Sequence, residues 1–121
     1  ARSFEKFAQK NDLYDSALLD AIERAEKGQI DANLGNGIIK QRVARKGEGK
    51  RGGFRTIILL RTSVRAVFIY GFAKNEQENI TETHQADLRK LAPLLLSLPD
   101  ETMENLVKEG EYMEVKYDAK L

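Results

Sequence analysis

Apolar residues recur at helical spacing near both ends of this chain and crowd into strand-like runs in its middle. Residues 4–10 place Phe4, Phe7 and Ala8 on one face of a short helix. A second helix is marked by Asp12 or Asp15 as its cap, by Leu18, Ala21, Ile22 and Ala25 along one stripe, and by Gly28 as its stop. The two form a helical hairpin with an apolar inner face, and residues 29–37 read as a loop. Residues 38–44 alternate, Ile39 and Val43 facing one way and Lys40 and Arg42 the other. Residues 54–61 and 65–72 are dense in β-branched, aromatic and leucine side chains, as strands covered on both faces are. Only Thr62, Ser63 and Val64 separate them, which forces an antiparallel hairpin.

The last third is helical. Thr81 caps a segment in which Leu88, Leu91, Ala92, Leu95 and Leu98 make an apolar stripe, and Pro93 inside that stripe is expected to kink or split it. Asp100 caps a further short helix that ends at Gly110, and residues 112–115 add a candidate edge strand. The expected fold class is therefore α+β: a small antiparallel sheet of three to four strands, with helices before and after it to cover its two faces.

Length and composition narrow the functional classes. A chain of 121 residues reads as one domain, 1–121, burying roughly 65% of its unfolded surface. No apolar run reaches the ~18–20 residues of a membrane span and no signal peptide opens the chain, so a cytoplasmic protein without membrane association is expected. With no cysteine and one histidine, disulfides, thiolate nucleophiles and histidine-rich metal sites are excluded.

Charge changes the picture most. The net charge of +1 hides a segment, residues 40–74, with ten basic residues and a single acid, Glu48. The basic residues are Lys40, Arg42, Arg45, Lys46, Lys50, Arg51, Arg55, Arg61, Arg65 and Lys74, and both flanks are acidic. Such a stripe focuses positive potential and attracts a polyanion, most often nucleic acid. A solvated loop charged only for solubility is the competing reading.

Residues 47–52 spell Gly-x-Gly-x-x-Gly, yet strands lie on both sides, so no helix N-terminus awaits a pyrophosphate and dinucleotide binding is rejected. Residues 46–55 are better read as one unit, whose glycines let backbone approach a phosphodiester chain while cations flank it. Arg55 stands apart, because it alternates with Phe54 at the start of an apolar strand, where a cation needs a partner or a task.

Three segments within this region resemble the RelE/ParE toxin superfamily, and most closely its RelE-type subgroup. They are Ile39-Lys40-Gln41-Arg42-Val43-Ala44-Arg45, Gly52-Gly53-Phe54-Arg55, and Tyr70-Gly71-Phe72-Ala73-Lys74-Asn75-Glu76 followed by Asn79-Ile80. A weaker likeness extends over most of the chain, Arg24-Ala25-Glu26-Lys27-Gly28 included. The resemblance implies a RelE-like fold and a small cytoplasmic toxin of a type II toxin–antitoxin module. Many such toxins enter the ribosomal decoding site and cut messenger RNA, and a co-expressed antitoxin neutralises them. The expected partners are thus a cognate antitoxin, the ribosome and mRNA, with no cofactor. The antitoxin is expected to cover the cationic groove with acids or to displace the C-terminal helix.

RNA cleaves itself when a 2′-hydroxyl attacks the adjacent phosphorus, and a protein assists by alignment, by stabilising charge on phosphorus and by moving two protons. Cations alone can meet the second need without metal. The resemblance assigns the phosphate to Arg55, the arginine of the family's Gly-x-aromatic-Arg entry. Lys46 or Lys50 is assigned a second contact or the role of general base, and Lys74 a place at the sheet end where relatives carry basic active-site residues. Lys40, Arg42, Arg45, Arg51, Arg61 and Arg65 are assigned to RNA binding. Asn75 stands where RelE-type nucleases often have an arginine, and Thr81 falls near the position of their tyrosine. A different general acid then acts, or the protein binds without cutting. Tyr70 inside an apolar strand reads as core, His84 as a surface helical histidine, and Glu48 between two glycines as a turn residue. A ParE-like gyrase inhibitor and a non-catalytic nucleic-acid binder are the alternative functions.

Overall fold

A computed structural model describes residues 2–45, 49–73 and 82–115. Helices α1 (Arg2–Lys10) and α2 (Asp15–Glu26) precede strands β1 (Ala32–Gly35), β2 (Ile38–Arg45), β3 (Gly49–Arg61) and β4 (Arg65–Ala73). Helices α3 (Glu82–Ser97) and α4 (Asp100–Lys108) follow. The strands pair in sequence order as an antiparallel four-stranded sheet, giving the α+β architecture expected of a RelE-like chain.

The alternation of apolar residues splits the core in two. Phe4, Leu18, Ala21 and Ala25 of α1 and α2 pack on Ile39, Val43, Phe54, Ile58 and Phe68. Leu88, Ala92, Leu95 and Leu96 of α3 pack on Ile38, Ile57, Leu59, Val67 and Phe72 across the sheet. The Phe4 ring stacks on Phe68 with centroids 4.9 Å apart, and Phe7 meets Phe54 edge-on at 5.3 Å. Gly28 ends α2 as expected, its N–H donating to the Ala25 carbonyl and that of Gln29 to the Arg24 carbonyl.

Four expectations shift. Residues 32–35 lie within the expected loop but form β1, because Asn36 and Gly37, at φ 53° and 81°, make a two-residue turn back into β2. Helix α3 runs through Pro93 unbroken, and the Arg89 carbonyl that proline cannot serve accepts from Asn36 Nδ2 at 3.4 Å. Asp100 is the first residue of α4 rather than its cap, a place taken by Pro99, and Asp15 likewise follows the capping Tyr14. Residues 112–115 form no strand: Tyr112 packs into the α3-side core and Val115 into the α1–α2 side, so the tail crosses from one to the other. Burial and the neighbouring Glu111 carboxylate push the Tyr112 hydroxyl pKa up. The Thr81 cap lies outside the described residues.

Candidate nucleic-acid interface

Strand periodicity and register assemble the site. Lys40 and Arg42 are two residues apart on β2 and so share a face, and Arg55 on β3 pairs directly with Arg42. That face is the one carrying Ile38 and Ile57, which pack against α3. Like charges directly opposed across two strands repel. Asp31, the residue before β1, relieves the repulsion. Its Oδ2 lies 3.3 Å from Arg55 Nε and 3.8 Å from Lys40 Nζ, and its Oδ1 3.4 Å from Arg42 Nε. Among the described residues, three cations thus converge on one carboxylate, an excess of positive charge over that acid. Arg42 is the most open of them, with 42% of its side chain exposed against 12% for Arg55. Nη1 of Arg55 is buried with no hydrogen-bond partner among the described residues.

The support behind this row is polar and buried. On the opposite face Gln41 Nε2 donates to the carbonyls of Ala21 at 2.9 Å and Gln29 at 3.0 Å, and Gln41 Oε1 accepts from the Arg42 N–H. The Thr56 hydroxyl donates to the Gln41 carbonyl at 3.0 Å. Arg24 Nη2 donates to the Arg42 carbonyl at 2.7 Å while its Nε pairs with Asp20. These bonds tie α2 and the segment before β1 to the strand that presents the cations. The Asp31 N–H completes the tie, donating to the Lys40 carbonyl at 3.0 Å.

A bulge brings in an aromatic pair. Ile57 pairs with Tyr70 but Ile58 with Phe68, so β4 has an extra residue there. Before the bulge Phe68 faces α1 and α2; after it Tyr70 and Phe72 face the α3 side, which Arg55 shares. The Tyr70 ring stacks on His84 in the first turn of α3, with centroids 6.0 Å apart and planes 27° from parallel. Arg55 is the cross-strand partner of Phe72, which makes Tyr70 its diagonal neighbour.

Two of the other expected site residues fall elsewhere. Arg61 and Arg65 pair with each other at the far end of β3 and β4, six positions along β3 from Arg55, or roughly 20 Å. There they serve α3: Arg65 Nη1 donates to the Leu95 carbonyl at 2.7 Å, and Arg61 Nη1 approaches the Leu96 carbonyl at 3.5 Å. Arg65 Nη2 also pairs with Asp100 at 2.9 Å. Arg45 ends β2, and Lys50 and Arg51 lie in β3, which begins earlier than expected. Lys46, Glu48 and Lys74 lie outside the described residues. Gly53 is required by the fold, since a Cβ there would collide with the Val43 carbonyl of β2.

A model of the family described as RelE toxin of the RelE / RelB toxin–antitoxin system matches residues 1–115. The chain belongs to the RelE toxin family. It is a toxin of a toxin–antitoxin system, and its partner is a cognate antitoxin. No curated protein and no solved structure matches the chain. Among the described residues, no helix of this RelE-family protein is long and apolar enough to cross a membrane.

Sequence reasoning missed Asp31, Gln41 and Arg24 as parts of this arrangement. Arg24 lies in a segment that carried the family likeness, but its task is to clamp α2 onto β2. Asp31 had one readable signal, the Asn36-Gly37 dipeptide that folds it back against Lys40.

Proposed function

We propose that this toxin is a ribosome-dependent mRNA endoribonuclease that inhibits translation by cleaving messenger in the cytoplasm. The observation that carries the reading is the convergence of Lys40, Arg42 and Arg55 on one sheet face around a single carboxylate. In the proposed reaction the substrate's 2′-oxygen attacks the adjacent phosphorus and the 5′-oxygen leaves, giving a 2′,3′-cyclic phosphate. Charge builds on the phosphoryl oxygens, and Arg55 and Arg42 stabilise it with charge-assisted hydrogen bonds. Lys40 draws in the backbone, and Lys46, Lys50 and Lys74 supply further phosphate contacts or the base. Tyr70, diagonal to Arg55 across the strands, and His84, stacked on its ring, are the groups proposed to move protons. They stand in a protein that has Asn75 and Thr81 where its relatives often have arginine and tyrosine.

The test is purified protein in a reconstituted translation reaction, with messenger ends mapped by primer extension in the presence and absence of ribosomes. Codon-phased cuts that require ribosomes are expected. Arg55→Ala should slow them by about 10²–10³-fold, the usual cost of losing one preorganised charge-stabilising donor. Uncut messenger from the unaltered protein would shift the reading to binding without cleavage, or to gyrase inhibition, which Arg55→Ala would leave intact.

A further inference from the structure

Asp31 lies outside the cation-rich segment, yet its carboxylate is where three candidate RNA-binding cations meet. It is also anchored through the backbone on either side. Its N–H is bonded to the Lys40 carbonyl, and Gln29, two residues earlier, is held through its carbonyl by buried Gln41. The carboxylate takes the Nε of Arg55 and leaves Nη1 without an acceptor among the described residues. A buried guanidinium nitrogen without an acceptor is uncommon and marks a place for a missing oxygen.

We propose that Asp31 is the positioning residue of the phosphate site, fixing Arg55 by its Nε edge and Arg42 beside it so that Nη1 of Arg55 receives a phosphodiester oxygen. The proposal rests on the nuclease reading and deepens it. Arg42, the more exposed arginine, meets the RNA first, and Arg55 engages the phosphate from its deeper seat. A planar guanidinium suits this division, because one edge can bind a carboxylate while another binds a phosphate. Asp31 therefore opposes raw attraction, as an anion beside a polyanion site, and favours the chemical step, as the group that orders the cations.

That opposition makes the role testable with the full-length toxin and its Asp31→Asn variant. Three quantities are read: ribosome-dependent cleavage, affinity for a 2′-deoxy oligonucleotide that cannot be cut, and the NMR cross-peak of the Arg55 Nε–H, assigned with Arg55→Lys. Asp31→Asn is expected to slow cleavage about tenfold or more, because misplacing a reacting group by about 1 Å is that costly. Oligonucleotide affinity should hold or rise by up to about tenfold, because an anion has left a salt-sensitive site. The cross-peak should shift and exchange faster, while Asp31→Glu should restore most of the cleavage.

Cleavage at the normal rate, an unmoved cross-peak, or equal losses of cleavage and affinity in folded Asp31→Asn would each overturn the proposal. Should Asp31→Asn not fold, the unaltered protein decides: a resolved, slowly exchanging Arg55 Nε–H supports the anchor, and an averaged, fast-exchanging one overturns it. Should the unaltered protein cut nothing, the nuclease reading fails by itself, and the cross-peak and oligonucleotide binding still decide on Asp31.

Discussion

Gln41 is almost wholly buried, and its amide makes the bonds that hold the segment before β1 beneath the cation row. Burying an amide is favourable only where its donors and acceptors are met, and here both are. Gln41→Leu keeps the volume but takes the donor from the Gln29 carbonyl and the anchor from α2. We expect a loss of about 1–3 kcal/mol, read as a thermal midpoint lower by roughly 5–10 °C. Gln41 and Arg55 were unequally legible. A cation alternating with phenylalanine at the head of an apolar strand announces a task. A glutamine within a cationic strand looks like solvent-facing polarity, and only the packing of α2 turns it inward. The acid of the cluster was hidden for a different reason: along the chain Asp31 belongs to an acidic flank, while the field around Arg55 is set by neighbours in space.

The same contrast holds for whole elements. Helices α1 and α2, strands β2 to β4 and the two C-terminal helices were visible in apolar spacing, because each buries one face or both against a neighbour. Strand β1 was not, because four residues with Ala32 and Leu34 as the apolar pair are too few to establish a period. Its signal lay in the turn. Gly37 sits at φ 81°, and a Cβ there would come within 2.9 Å of Leu96 Cδ1 and 3.0 Å of the Leu60 carbonyl. Gly37→Ala should therefore cost more than the ~1–2 kcal/mol of the left-handed conformation alone, measured by urea unfolding. A slipped β1–β2 register would also carry Asp31 away from Arg55, so ribosome-dependent cleavage should fall in the fraction that still folds. Pro93 misled in the opposite direction, but only as to a split. Proline removes one helical bond, but Asn36 from the β1–β2 turn supplies a donor to the freed carbonyl, and apolar packing of Leu88, Ala92, Leu95 and Leu96 keeps the helix continuous through it.

At the scale of the molecule, the sheet sorts the basic residues into two ends with different tasks. Lys40, Arg42 and Arg55 gather at one end, while Arg61 and Arg65 bind carbonyls at the C-terminal end of α3 at the other. Binding of single-stranded RNA should therefore weaken with salt, with Arg42→Gln lowering the log–log slope by about 0.7 and Arg61→Gln leaving it unchanged. Titrations by fluorescence anisotropy at several salt concentrations measure both. Equal effects of the two substitutions would place RNA along the whole sheet. The α+β class, the cationic character of the middle segment and the kinship of the chain were legible along the chain. Those follow from local spacing, composition and short motifs, which need no knowledge of what lies across the sheet. Which cations meet, which acid holds them, and the bulge in β4 that turns Tyr70 to the face of Arg55 emerge from the packed fold alone. These depend on strand register, where a shift of one residue exchanges the two faces, and the interactions that set register are made between residues far apart in the chain.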